Sequence, residues 1–231
     1  MIRLPIFYGM LDKENKKVIQ AVIFYFYKNK EEVQTELKEE ETKASVILDV
    51  PFTSQAPTNT WNELFNNACE EASLLMVDHY YQKHSFGATF EVEEMLTGMV
   101  AWQKENWGGH FDLPIADTAK FAEEYFGYRT EVIEDLTPEK LREFLDKGLP
   151  VIIPIDGQAY ENPHYQAIGP EYHMLVVVGY FDDKFVTNDP GTIKGEGFIR
   201  SEDNIFPAIF DWNKKESSAT GPRRGLVLYD D

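Results

Sequence analysis

The chain has 231 residues, with 40 Asp and Glu against 22 Lys and Arg, a formal charge of −18, and 43% hydrophobic residues. A balance this acidic repels phosphate backbones and anionic lipid, so nucleic acid is excluded as an expected partner. The apolar content suffices for one packed core, and the single cysteine, Cys69, excludes an intrachain disulfide or a cysteine zinc cluster.

The first apolar run, residues 18–27, is interrupted by Gln20 and closed by Lys28 and Lys30. As a helix it would reach only about 15 Å, half of a bilayer core. No small-residue cleavage site follows, so a cleavable export signal is poorly supported. Two readings stand for it: a β-hairpin turning through residues 12–17, or the remnant of a degenerate membrane anchor. Residues 29–43 are dominated by Glu and Lys, the composition of a solvated linker or an exposed helix face. The domain boundary is therefore placed near residue 45, with an N-terminal segment and charged linker over 1–45 and the main domain over 46–231.

Val46, Ile47, Leu48 and Val50 begin a strand-like run that ends at Pro51. Ala72, Leu75, Met76, His79 and Tyr80 recur at helical spacing, which predicts a helix over 69–82, and Met95, Leu96 and Met99 predict another over 90–105. Residues 117–125 read as a third helix. Thr137 as cap, Pro138 in the first turn and Glu139 open a fourth that runs to Lys147, with Gly148 as its stop. Strands follow at 150–155, 173–180 and 185–188, the last two joined by a tight turn at Asp182 and Asp183. Helices first and antiparallel strands after predict an α+β fold, an N-terminal helical part packed on a C-terminal antiparallel sheet.

Cys69 falls where a loop gives way to the predicted helix. The positive end of a helix favours thiolate, the nucleophilic form, but a drop of about 2 pKa units is needed for a mostly ionised thiol at neutral pH. A cationic imidazole partner is needed as well; without one, a lone cysteine is a small buried hydrophobe. Of the five histidines, His79 lies on the same helix about 15 Å up the axis, too far to touch the thiol, and His84 follows it. His110 and His164 lie in loops. His173 opens the apolar strand His173-Met-Leu-Val-Val-Val-Gly-Tyr, where a basic residue is out of character unless it points into a site. Asp189 ends the returning strand. An odd number of residues in the intervening loop would put His173 and Asp189 on one face, where Asp189 could orient the imidazole; an even number would not. By itself Asp189 also reads as an Asp-Pro-Gly turn.

Glu70 and Glu71 would raise the thiol's pKa if they pointed inward, but on a first helical turn they can face solvent and favour the dipole. A metal set of His110, Asp112 and Asp117 has nothing to fix its geometry, so neither a metal nor another cofactor is expected. There is no G-x-S-x-G elbow and no H-E-x-x-H helix.

The segments Asp49-Val-Pro-Phe-Thr-Ser-Gln55, Ala68-Cys-Glu-Glu-Ala-Ser-Leu-Leu-Met-Val-Asp-His-Tyr-Tyr81, Gly148-Leu-Pro-Val-Ile-Ile, His173-Met-Leu-Val-Val-Val-Gly-Tyr and Asn188-Asp-Pro-Gly, in this order, resemble the bacteriocin-leader, double-glycine cysteine peptidases. The resemblance implies a papain-like fold and thiol hydrolysis of a peptide bond in a peptide or protein substrate. It implies Cys69 as nucleophile, His173 as general base and acid, Asp189 as orienting residue and Gln55 as a side-chain donor to the oxyanion. The backbone N–H of Cys69 is the natural second donor. The family likeness also suggests an extracellular or cell-surface protein, although the N-terminus carries no clear signal. Thirteen residues separate Gln55 from Cys69, a longer loop than in the compact leader-cleaving enzymes, and Ala68 stands where glycine is frequent. No phosphate-binding G-x-x-x-x-G-K motif accompanies the peptidase segments, so leader cleavage during export does not follow. Two alternatives remain: another acyl-transfer enzyme, an amidase or transglutaminase-like protein, and a non-catalytic peptide-binding module of the same fold.

Overall fold

The computed structural model describes residues 45–165 and 168–230. The hairpin, anchor and linker readings of the N-terminal segment fall on residues outside that set. In chain order the elements are β1 (Val46–Ile47), α1 (Glu63–Asn66), α2 (Cys69–Gln82), α3 (Thr89–Trp107), α4 (Ile115–Phe121), β2 (Arg129–Ile133), α5 (Pro138–Asp146), β3 (Val151–Ile155), α6 (Gly157–Tyr160), β4 (His173–Phe181), β5 (Lys184–Asn188), β6 (Phe198–Ser201), α7 (Glu202–Ile205) and β7 (Gly225–Tyr229).

The strands form one antiparallel sheet in the order β2-β7-β3-β4-β5-β6, with β1 added to β4. β3 pairs with β4 from His173 to Val177, and β1 takes up the pairing at Gly179 and Tyr180. β3 and β4 are buried on both faces, which explains their near-continuous apolar sequence. On one face Met174, Val176, Val178, Leu226 and Leu228 pack with Leu75 and Met76 of α2. On the other, Ile153, Leu175, Val177 and Val227 pack with Leu141 and Leu145 of α5. The α+β layout matches the expectation, with one addition: helical structure covers both faces of the sheet.

Local signals placed several elements well. The Thr137 hydroxyl accepts from the Lys140 N–H at 3.3 Å at the start of α5, and Gly148 takes φ 76° just past its end. The predicted third helix starts at Ile115, and its last turn, Ala122–Phe126, widens to a π-helical turn. The strand expected from residue 46 stops at Ile47, although the Leu48 N–H still donates to the Val178 carbonyl at 2.8 Å. β2, β6 and β7 lie outside the strands that the sequence pattern predicts.

The β4–β5 hairpin decides whether His173 and Asp189 meet. Phe181 pairs with Lys184, so the turn holds two residues, Asp182 and Asp183, with Asp182 at φ 51°. An even turn alone would put the two residues on opposite faces. A bulge between Val177 and Gly179 shifts the register by one residue, and beyond it Val176 pairs with Asn188. That shift restores the shared face.

Candidate active site

The sheet side of the site is built around Asp189, which is fully buried. Its Oδ1 lies 2.7 Å from His173 Nε2 and accepts from the Gly191 N–H at 2.9 Å. Its Oδ2 accepts from Asn162 Nδ2 at 2.7 Å and from the Tyr165 hydroxyl at 2.9 Å. Burial pushes this carboxyl upward, but the charge and hydrogen bond of His173, with Asn162 and the Gly191 N–H, outweigh it and hold the pKa below the ordinary carboxylate value. The Tyr165 phenol is pushed far up by burial and by Asp189, so it remains a donor. Its ring meets His173 edge-on at 5.8 Å between centroids.

Gly191 is there because nothing larger fits. A Cβ on it would stand 2.9 Å from the Tyr165 ring and 3.0 Å from Cε1 and Nε2 of His173. The same turn anchors the segment that carries Gln55. The Gln55 N–H and the Ser54 hydroxyl both donate to the Pro190 carbonyl, at 2.9 and 3.0 Å. The Asn188 side chain donates to the Val50 carbonyl at 3.0 Å.

Cys69 is the first residue of α2, reached through α1, whose cap Asn62 accepts from the Phe65 N–H at 3.0 Å. Gln55 reaches the same stretch: its Nε2 donates to the Phe65 carbonyl at 2.7 Å and to Asn66 at 3.2 Å, while its Oε1 has no partner. Cys69, His173 and Gln55 line one cleft of about 470 Å³, together with Asp112, Trp61 and Trp212.

The surroundings of the thiol decide between the two orientations open to Glu70 and Glu71. Glu70 and Glu71 are 0% and 1% exposed instead of facing solvent. Glu70 Oε1 accepts from the Leu113 N–H at 2.8 Å, and its Oε2 accepts from Cys69 Sγ at 3.0 Å. Glu71 accepts from the Gln103 amide, and His110 Nε2 stands 3.3 Å from it. Burial, then the charge and hydrogen bond of Glu70, push the Cys69 thiol well above its ordinary value, so the resting sulfur is a thiol despite the helix end. Burial, Glu71 and Asp112 in turn push the Glu70 carboxyl up.

The remaining candidates go elsewhere. His79 stacks on Phe86 at 4.3 Å, and Asp117 pairs with Lys214. Among the described residues no group of three His, Cys, Asp or Glu side chains is set to hold a metal ion. Among them, too, no helix is long and apolar enough to cross a membrane. The supporting roles of Asn162 and Tyr165 and the burial of Glu70 were missed. Nothing in the local pattern of residues 162–165 points to Asp189, and glutamate in a first helical turn is normally a solvated residue.

A papain-like α+β fold that brings a cysteine, a histidine and an aspartate toward one cleft defines a class of thiol-dependent enzymes. Residues 47–219 match the Peptidase_C39 like family, and the chain belongs to it. Cysteine peptidase activity is the general function that membership carries. No curated protein matches the sequence at a significant level. Among solved structures, a Bacillus anthracis protein described as a C39-like peptidase shares 15% identity, covers 81% of this chain and 98% of its own, and superposes with a TM-score of 0.53, a likeness of fold. A double glycine motif protease from an AMS/PCAT transporter, solved with its leader peptide, shares 19% identity over 79% of this chain and 93% of its own, with a TM-score of 0.44. The peptidase domain of Streptococcus ComA shares 13% identity over 79% and 99%, with a TM-score of 0.40.

Proposed function

We propose that the main domain, residues 46–231, hydrolyses peptide bonds through an acyl-enzyme formed on Cys69. The observation that carries this reading is the pairing of His173 with a buried Asp189 whose pKa is held low, in a cleft that Cys69 also lines. An ionised Asp189 accepts a hydrogen bond from the Nε2–H of His173, which fixes the proton on Nε2 and leaves the Nδ1 lone pair as the base. Nδ1 takes the thiol proton as Sγ bonds to the scissile carbonyl carbon. Because burial and Glu70 hold the resting thiol protonated, ionisation accompanies attack and no stored ion pair precedes it.

The carbonyl oxygen becomes an oxyanion and is met by the Cys69 N–H at the start of the helix. Gln55 joins by exchanging its 3.2 Å bond to Asn66 for one to the oxyanion while it keeps the shorter one to Phe65. Collapse of the intermediate breaks the C–N bond, and His173 returns the proton to the departing amine. Water, deprotonated by the same Nδ1, then releases the acid and the free thiol.

The test is digestion of a peptide library by the full chain and by Cys69→Ala. Cleavage by the parent and none by a folded Cys69→Ala chain is expected; equal rates would refute the proposal. An amine acceptor added to the digest separates hydrolysis from acyl transfer by the product formed. The closed-in thiol bonded to Glu70 favours a second reading, a peptide-binding module without turnover. Binding of library peptides with no cleavage and no selective alkylation of Cys69 would establish it.

A further inference from the structure

The cleft that holds Cys69 and His173 is charged in one sense only. Asp112 and Glu171 both line it, and none of its lining residues is Lys or Arg. Asp112 is half-buried, and among the described residues no hydrogen bond or ion pair reaches its carboxylate. Burial raises its pKa, His110 is the cation-capable group that opposes this, and Glu71 and Glu171 add to the rise. Glu171 is exposed at the rim.

A second observation is independent of the acids. Gln55 is 3% exposed and lines the same cleft, its amide nitrogen is engaged by two carbonyls, and its oxygen has no donor. A buried amide oxygen without a partner costs free energy that an incoming N–H recovers. Of the buried side-chain atoms left unpartnered among the described residues, it alone belongs to this cleft, and it is an acceptor. Trp61 and Trp212, both half-buried in the cleft wall, put indole surface where a cationic head or its methylene stem can pack. The overall charge of −18 brings cations toward the molecule.

Resting on the peptidase reading, we propose that this cleft selects peptides carrying a basic side chain, lysine or arginine, whose head is received between Asp112 and Glu171 while a peptide N–H meets Gln55 Oε1. The ligand must bring donors and positive charge together. A neutral or acidic peptide would leave the two carboxylates without a counter-charge.

Binding to the full-length Cys69→Ala chain separates this proposal from the chemistry. Fluorescent octapeptides of Gly, Ala and Ser, with arginine, glutamine or glutamate placed at each position in turn, are titrated by anisotropy at low and high salt. At the best position the arginine peptide is expected to bind about tenfold more tightly than its glutamine counterpart. Salt should shrink that ratio, and Asp112→Asn/Glu171→Gln should abolish it. The single change Glu171→Gln lies at an exposed position that leaves folding intact, and should lower the ratio in part. Equal affinities, a ratio untouched by these substitutions, or no binding of any arginine peptide at millimolar concentration would overturn the proposal. Turnover by the parent chain reports on the peptidase reading alone. Arginine preference without cleavage refutes only the peptidase, and cleavage without preference refutes only the basic-residue cleft.

Discussion

The two walls of the cleft are built on opposite principles. On the sheet side every oxygen of Asp189 is matched: imidazole and backbone N–H on one, amide and phenol on the other. On the helix side Cys69 lies against Glu70, with Glu71 and Asp112 close behind, and burial raises the proton affinity of the thiol and of Glu70. The first wall is preorganised when the chain folds, because strand register and the Val178 bulge bring His173 and Asp189 to one face. On the proposed mechanism the second holds its proton until a substrate arrives. Orientation is therefore settled by the fold, while ionisation is left to the encounter, and each wall can be broken separately.

The largest effect belongs to the sheet wall. Asp189→Asn keeps the side chain's shape but lets an amide N–H donate to His173 Nε2. The imidazole proton would then sit on Nδ1, the nitrogen that must accept from the thiol. A fall in kcat of about 10⁴ is expected, by analogy with the matching change in serine-protease triads, with folding preserved at neutral pH. Activity within tenfold of the parent would reduce Asp189 to a turn residue. Acid should expose the same group from the folding side. A carboxyl whose folded pKa lies below 3.8 contributes stability above that value, lost as pH falls through the folded pKa, and the Asn variant should lack this component of acid unfolding.

A milder break is Gly191→Ala. The added Cβ would press on the His173 and Tyr165 rings at about 3 Å, so the imidazole must turn or shift. Misplacement on this scale is expected to lower kcat about 10²-fold with KM little changed. Steady-state kinetics on one cleaved peptide would check the split.

The helix wall answers to Glu70→Gln, and its sign is opposite. Removing the carboxylate takes away the charge and the ionic acceptor that hold the proton on Cys69, while burial remains. The thiol pKa falls, and alkylation by iodoacetamide at neutral pH should quicken about tenfold. Stability should move too. A group whose folded pKa is raised above 4.5 contributes stability that is complete below that value and is lost as pH rises through the folded pKa. Gln titrates nowhere in this range, so the Tm of Glu70→Gln relative to the parent should climb from pH 4 to neutral. A slower alkylation rate would mean that Glu70 is the proton's acceptor during attack and not its keeper.

What the sequence disclosed follows the same division. Elements set by local chemistry were legible: α2 begins at Cys69, α5 opens at the Thr137 cap, and β3, β4 and β5 announce themselves as apolar runs ended by turns. Elements set by distant partners were not. β2 reads as a polar stretch until β7, nearly a hundred residues later, pairs with it from Arg129 to Ile133. The meeting of His173 and Asp189 hung on parity, and a two-residue turn would have forbidden it; the bulge that rescues it has no local signature. Glu70 was legible as a residue but open in direction, because nothing near it in the chain discloses the Leu113 N–H that donates to its carboxylate inside the protein.

The smallest expected effect separates stability from chemistry. Thr137→Ala removes the hydroxyl that accepts the Lys140 N–H at the start of α5, a helix whose buried face, Leu141 and Leu145, packs on the side of the sheet away from α2. Loss of such a cap costs about 1 kcal/mol. The N–H left behind lies at a partly exposed helix end, where water replaces part of the bond. Thermal unfolding should show the loss, while the alkylation rate of Cys69 and kcat stay at parental values. A change in either would mean that α5 and the cleft are coupled through the sheet, and the separate treatment of the two walls would then need β3 and β4 as a common support.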